Sequence, residues 1–243
     1  MTEADSPIWA ILPVKSLTAA KQRLGGVLDA KERRALMLHS TRDVLRALSR
    51  SSELSGILLV SRDKTALQLG SEFGAQPMLT DSDDGQSAAI EGAVRLLAQQ
   101  GVGKTLTIPG DTPLLTPQDV DAVSRTLSVA NSLTIVSNVD GTGTNCIAAS
   151  PPDLIPYQFG HNSFERHVST ARSVGIEPKV LRFPGLELDI DTQADLVALM
   201  AEAPITETQR YLIESGIAER CGAVTPGLQK LPTHVDRMVP IRP

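Results

Sequence analysis

Aromatic side chains are scarce in this 243-residue chain, which has one Trp, two Tyr and four Phe. So few rings leave little from which to build a base-stacking platform for single-stranded nucleic acid. Positive charge is in deficit too: 23 Lys+Arg stand against 28 Asp+Glu, for a net charge of −5. That is the wrong sign for a whole-surface grip on a phosphodiester backbone. The two cysteines, Cys146 and Cys221, lack metal-ligand spacing, so reduced thiols in a cytoplasmic protein are expected rather than a disulfide. No apolar run approaches the roughly 18 residues that span a bilayer. The acidic opening Met1-Thr2-Glu3-Ala4-Asp5 leads into no long apolar segment of the kind a secretion signal carries. Neither a nucleic acid nor a membrane is therefore expected as a partner.

The apolar content is an ordinary 41%, carried by Ala, Leu, Val and Ile. A chain of this length buries roughly 70–75% of its unfolded surface and needs no staple to fold. Short aliphatic runs at 8–14, 56–61, 76–79, 104–109, 133–137, 145–149 and 178–183 read as strands. Helical patterns at 30–49, 64–73, 87–100, 117–128, 162–174 and 192–202 alternate with them. Near-continuous apolar strands suit a sheet covered on both faces, and the alternation argues for an α/β fold built on a mainly parallel sheet. In 30–49, Leu36, Val44, Leu45 and Leu48 recur at helical spacing, and Asp29 followed by Glu32 fits an N-cap. Composition shifts after Pro204. Residues 205–220 read as a further amphipathic helix, and 221–243 holds four prolines without periodicity. The expected layout is one domain over 1–203 and an extension over 204–243.

Four segments could carry chemistry. The loop Pro13–Gly26 follows the first strand and holds Lys15, Lys21 and Arg23. The C-terminal end of a strand in an open α/β sheet is where ligands bind, and these cations could neutralise a polyphosphate, with Arg gripping two oxygens. A solvated basic turn is the plainer alternative. The loop is not Gly-x-x-x-x-Gly-Lys-Ser/Thr, which disfavours a P-loop nucleotidase. Pro109-Gly110-Asp111-Thr112-Pro113-Leu114 puts a carboxylate after another strand, where it could hold Mg²⁺ or merely make a turn hydrogen bond.

In Leu188-Asp189-Ile190-Asp191-Thr192, two carboxylates would share one face of a strand. They repel unless a cation or proton lies between them. Alternatively, Asp191 caps helix 192–202, with Asp195 supporting the helix's positive end. The fourth segment, Asp140-Gly141-Thr142-Gly143-Thr144-Asn145, is followed by Phe159-Gly160-His161-Asn162-Ser163-Phe164. Its glycines allow close backbone approach, and Ser163 precedes a helix whose amides could bind an anion; a hairpin turn and an ordinary cap would account for the same residues. His161 and His167, six apart, make a poor metal pair.

Taken together and in this order, these segments resemble the 2-phospho-L-lactate guanylyltransferase family of coenzyme F-420 biosynthesis over roughly residues 8–202. The matching motifs are Leu-Pro-Val-Lys…Ala-Lys-Gln-Arg-Leu, Pro-Gly-Asp-Thr-Pro-Leu, Asp-Gly-Thr-Gly-Thr-Asn, Phe-Gly-His-Asn-Ser-Phe-x-x-His and Leu-Asp-Ile-Asp-Thr. The resemblance implies a single Rossmann-like, GT-A-like nucleotidyltransferase domain with a helix-flanked mixed sheet. It implies transfer of GMP from GTP to a phosphorylated three-carbon acid with release of pyrophosphate. The known acceptors are 2-phospho-L-lactate, phosphoenolpyruvate and 3-phospho-D-glycerate.

By the same resemblance, Lys15, Lys21 and Arg23 would contact the GTP phosphates, and with Asp111 would carry catalysis. Asp111, Asp189 and Asp191 would hold Mg²⁺. Thr144, Gly160 and Ser163 would contact the phospho-acid, and the segment of Gly85 and Ser87 would lie near the nucleoside. In that segment Gln86 and Ser87 stand where the family has Leu and Asn. The chain's extra length points to a variant branch, with 3-phospho-D-glycerate and 2-phospho-L-lactate as the first acceptors to test. A homodimer is the default assembly. The rivals are a nucleotidyltransferase of molybdenum-cofactor or sugar-phosphate type, and a catalytically silent nucleotide-binding domain.

Overall fold

The computed structural model describes residues 6–15, 17, 21–80 and 85–223. Asp84 and the tail from residue 224 lie outside the described residues, as do positions 16 and 18–20 of the basic loop. In chain order the elements are β1 (Ile8–Pro13), a 3-10 turn (Gln22–Leu24), α1 (Ala30–Ser49), β2 (Gly56–Ser61), α2 (Lys64–Glu72), β3 (Gln76–Leu79) and α3 (Gly85–Gln99). There follow β4 (Lys104–Thr107), α4 (Pro117–Arg125), β5 (Ser132–Ser137), β6 (Thr144–Ser150), α5 (Ser163–Ser173) and β7 (Lys179–Leu181). Four short helices end the described chain: α6 (Pro184–Glu187), α7 (Gln193–Ala201), α8 (Glu207–Glu214) and α9 (Ile217–Arg220).

The strands form one sheet in the order β3-β2-β1-β4-β6-β5-β7. Strand β6 is antiparallel to both of its neighbours, and the other pairs are parallel. The mixed, mainly parallel sheet is therefore as expected. Period-two alternation splits its side chains between two cores. Ala10 and Leu12 pack with Leu45, Leu48, Leu69 and Val123 on the face of α1, α2 and α4. Ile11 packs with Ile90, Val94, Leu97 and Ala171 on the face of α3 and α5. Each such aliphatic side chain contributes about 1.5–3 kcal/mol by leaving water.

This winding positions the site. The crossover from β1 to β2 uses α1 on one face, while the crossover that enters β4 uses α3 on the other. The C-terminal ends of β1 and β4 are thus a topological switch point, where a crevice opens. Because β6 runs antiparallel to β4, with Ile147 opposite Thr107, its first residues Thr144 and Asn145 reach the same edge.

Local signals set the helix ends. Asp29 and Glu32 form a reciprocal capping box on α1. The alternative of a cap at Asp191 is corrected: Thr192 is the N-cap of α7, its hydroxyl accepting from the Asp195 amide. A hydroxyl one residue later does the capping, so the Asp191 carboxylate is left for other partners. The expected single helix 205–220 is two helices, broken at Gly216, whose φ of 71° lies in the left-handed region.

The helices after α7 dock on the front of α1. Leu212, Ile217 and Cys221 share a core with Leu24, Leu28, Leu36 and Leu199. Buried Asp43 of α1 accepts from the Glu207 amide (3.1 Å), the Thr208 amide (2.8 Å) and the Thr208 hydroxyl (2.7 Å). Both cysteines are buried free thiols, and burial pushes the Cys146 thiol up to about 12. No helix of the described residues is long and apolar enough to cross a membrane.

Candidate active site

A cavity of about 630 Å³ opens at the switch point, within the size range of small-molecule sites. Three acids on two chain segments bring carboxylates to it. Asp111 sits in the turn after β4. Asp189 and Asp191 sit on the irregular stretch between α6 and α7, pinned to that turn by the Ile190 amide, which donates to the Asp111 carbonyl at 3.1 Å. One oxygen from each of the three acids lies within 4.8 Å of the other two. The sequence places the 189/191 pair on a strand. The segment is not a strand, yet it still places both carboxylates beside Asp111.

Lys21 lies among these acids. Its Nζ is 2.5 Å from Asp111 Oδ2 and 2.6 Å from Asp191 Oδ1, and its side chain is only 5% exposed. Burial alone would lower its pKa, but the two carboxylates overcome that and raise it. The backbone at Lys21 has φ 56°, a left-handed conformation that a non-glycine residue adopts at a cost. The ion pairs with two separate segments hold it there.

The electrostatics of the three acids differ. Burial, reinforced by the charge of Asp111, pushes Asp189 up to about 6, against the hydrogen bond from Asn145. Burial would raise Asp191 as well, but Lys21 lowers it through charge and hydrogen bond, with Arg23 and Lys15 adding their fields. Asp111 Oδ1 is buried without a hydrogen-bond partner among the described residues. An orphaned carboxylate oxygen in a cluster of hard oxygen donors fits a divalent cation such as Mg²⁺, which favours carboxylate ligands.

The remaining expected residues fall in three places. Lys15 and Arg23 line the cavity and are solvent-exposed, free to meet an incoming polyanion. Thr144, Gly160 and Ser163 line the same cavity from β6 and the start of α5. Gly160 has φ 116°, which only glycine adopts readily. From the Gly85–Ser87 segment, Gln86 lines the cavity while Gly85 and Ser87 do not. Ser87 instead accepts a hydrogen bond from the Phe159 amide at 2.9 Å, tying α3 to the loop before α5.

The suggestion that helix amides after Ser163 receive an anion is modified. Ser163 is itself the first residue of α5, after Asn162 in the left-handed region with φ 50°. The Ser163 and Phe164 amides already donate to the Gly160 and Thr142 carbonyls.

Two supporting residues were not assigned roles from sequence. Asn145 donates through Nδ2 to Asp189 Oδ1 (3.1 Å) and to the Leu186 and Glu187 carbonyls (2.9 and 3.1 Å). It anchors the Asp189 segment to the sheet. An Asn at the head of the expected strand 145–149 was the available signal, because Asn is disfavoured in strands. Asn138 Oδ1 accepts from the Thr142 and Gly143 amides (3.0 and 2.9 Å), shaping the turn before Thr144.

Residues 8–223 match the family model described as "Guanylyl transferase CofC like". A phosphoenolpyruvate guanylyltransferase of Rubrobacter xylanophilus is 35% identical over 198 residues, 82% of this chain and 96% of that protein. A second of that name, from Roseiflexus sp. (strain RS-1), is 37% identical over 229 residues, 93% of this chain and 99% of its own. Among solved structures, a Desulfovibrio desulfuricans G20 protein described as a nucleotide-diphospho-sugar transferase superposes with a TM-score of 0.70. It covers 90% of this chain and 99% of its own at 18% identity, a likeness of fold.

Proposed function

This chain belongs to the guanylyl transferase CofC like family, and from that premise we propose that it joins GMP from GTP to phosphoenolpyruvate, releasing pyrophosphate, in coenzyme F-420 biosynthesis. The observation that carries the reading is the cluster of Asp111, Asp189 and Asp191 around Lys21 at the switch point, opening on a cavity with exposed Lys15 and Arg23. Support for phosphoenolpyruvate over the other two acids comes from the relatives named for it, which align over 82% and 93% of this chain. The Roseiflexus relative matches 93% of this chain with 99% of its own, so the chain's length does not set it apart from proteins named for phosphoenolpyruvate.

The difficulty in such a transfer is bringing one anion against another. An acceptor phosphate is already a nucleophile at neutral pH, so no strong base is required. Lys15 and Arg23 at the mouth would take the charge of the triphosphate. Lys21 offsets part of the negative charge of the acidic cluster, so a polyphosphate can approach three carboxylates. Asp111, Asp189 and Asp191 would hold Mg²⁺, which when bound would polarise the α-phosphate and steady the departing pyrophosphate. Thr144, Gly160 and Ser163, from β6 and the start of α5, would hold the acceptor in line, and orientation of this kind lowers the barrier without a covalent step. We assign the nucleoside contact of the Gly85–Ser87 segment to Gln86, with Ser87 bracing the Phe159 loop. Reduced buried thiols are consistent with a cytoplasmic location.

The test is pyrophosphate release from each NTP with Mg²⁺ and each of the three acids. GTP with phosphoenolpyruvate is expected to be fastest. Turnover with CTP but not GTP would overturn the guanylyl assignment, and faster turnover with 3-phospho-D-glycerate would reassign the acceptor.

A further inference from the structure

His167 lies in α5 one turn after Ser163 and is fully buried. It is not a metal ligand: both ring nitrogens are engaged inside the protein. Nε2 is 2.8 Å from the Gln158 backbone nitrogen, and Nδ1 is 3.0 Å from Thr144 Oγ1. A backbone N–H can only donate, so Nε2 must be the bare, accepting nitrogen. In a neutral imidazole the single proton then sits on Nδ1 and is donated to Thr144 Oγ1. Thr144 has thereby received its donor, and its own O–H proton is directed elsewhere. Thr144 lines the cavity beside Gly160 and Ser163.

We propose that His167 is a positioning residue that fixes the Thr144 hydroxyl as a hydrogen-bond donor aimed at the anionic acceptor, and at the same time ties the Gly160 loop to it. This rests on the reading of Thr144, Gly160 and Ser163 as the phospho-acid site. The loop half of the role follows from its other bonds. Beyond the Gln158 amide on His167, Arg166 donates to the Gln158 carbonyl at 2.8 Å, and Ser87 accepts from the Phe159 amide. Phe159 packs edge-on against the imidazole, with ring centroids 5.2 Å apart. One ring therefore spans β6 and the loop, the two elements that would face the acceptor. Burial, with the neighbouring charge of Arg166 and against a backbone hydrogen bond at Ser163, pushes the imidazole down to about 4, which favours the neutral ring this arrangement needs. A cationic ring would set Nε2–H against the Gln158 N–H.

Two measurements test this. Two-bond ¹H–¹⁵N spectra of the full chain at pH 7 should show His167 protonated on Nδ1 and bare on Nε2. The other tautomer, or a cationic ring, would overturn the proposal, and this result does not depend on any activity.

Steady-state kinetics supply the second. His167→Gln, whose amide can reach the Nε2 position but not Nδ1, and Thr144→Val should each raise KM for phosphoenolpyruvate about tenfold, the effect of one lost hydrogen bond. KM for GTP should stay within about twofold, since the GTP contacts lie elsewhere. The double variant should be no worse than Thr144→Val alone. His167→Asn, which keeps a donor near Nδ1, should recover most of the loss. Additive effects, an equal rise in KM for GTP, or failure of His167→Asn to recover would each show a merely structural role. A wild-type protein inactive with GTP and every acid would sink the reading of function, leaving the tautomer spectrum to decide the role of His167.

Discussion

Replacing Lys21 with Met removes a buried ammonium while keeping an unbranched side chain one atom shorter. The ion pairs at 2.5 and 2.6 Å disappear, leaving Asp111 and Asp191 facing each other and Asp189 with no cation among them. Removing one partner of a fully buried ion pair costs about 3–5 kcal/mol. Here the Asp111 and Asp191 side chains are 22% and 44% exposed, so water screens part of the repulsion and about 2–3 kcal/mol is the expected loss. For a chain of this size that lowers Tm by about 4–12 °C.

The same geometry predicts a rescue. A divalent cation at about a hundred times its Kd stabilises the folded state by about 2.7 kcal/mol, close to the loss. Mg²⁺ should therefore raise the Tm of Lys21→Met more than that of the wild type, where Lys21 already supplies positive charge. Turnover should remain low even with Mg²⁺, because the positioned ammonium is gone. The assay is thermal unfolding with and without about 10 mM Mg²⁺ at matched ionic strength. Equal Mg²⁺ increments in the two proteins, or an undiminished Tm for Lys21→Met, would refute the reasoning.

Two other perturbations probe different links. Folding lifts the pKa of Asp189 from its ordinary 3.8 to about 6, which means that ionising it opposes folding. The penalty is absent below pH 3.8 and complete above about pH 6, where it reaches on the order of 2–3 kcal/mol. Asp189→Asn should accordingly be more stable than wild type at about pH 8 in metal-free urea titrations and no more stable near pH 4; a pH-independent difference would count against it. Asp43→Ala should strip two α8 amides and the Thr208 hydroxyl of their acceptor, loosening α8 and α9 by about 2–4 kcal/mol. Hydrogen exchange should accelerate across 207–220 while β1 and β4 stay protected, and unchanged exchange would remove Asp43 from that role.

The strand–helix alternation was readable because β1 and β2 are near-continuous apolar runs and most of the longer helices have a capping residue in sequence. The direction of β6 was not readable: a short strand of small and aliphatic residues buried on both faces looks the same running either way. Asp111 was legible as a candidate from its place after a strand, and Asp189 and Asp191 from their spacing two apart. The role of Lys21 was only half legible. Its charge was plain, but burial between carboxylates 90 and 170 residues away is set by how three loops converge. The same holds for His167, whose ring nitrogens meet partners on two separate elements. The cap on α7 was misplaced by one residue, because Asp191 and Thr192 are both competent caps and only backbone geometry chooses between them.

The three carboxylates at the switch point are central to the proposed transfer. Asp111→Asn tests that role most directly, since the amide keeps the shape and can still accept from Lys21 but offers a poorer ligand to a hard cation. With GTP, Mg²⁺ and phosphoenolpyruvate, pyrophosphate release should fall by at least about a hundredfold, with circular dichroism and Tm close to wild type. Turnover near the wild-type rate in a folded Asp111→Asn protein would contradict the account.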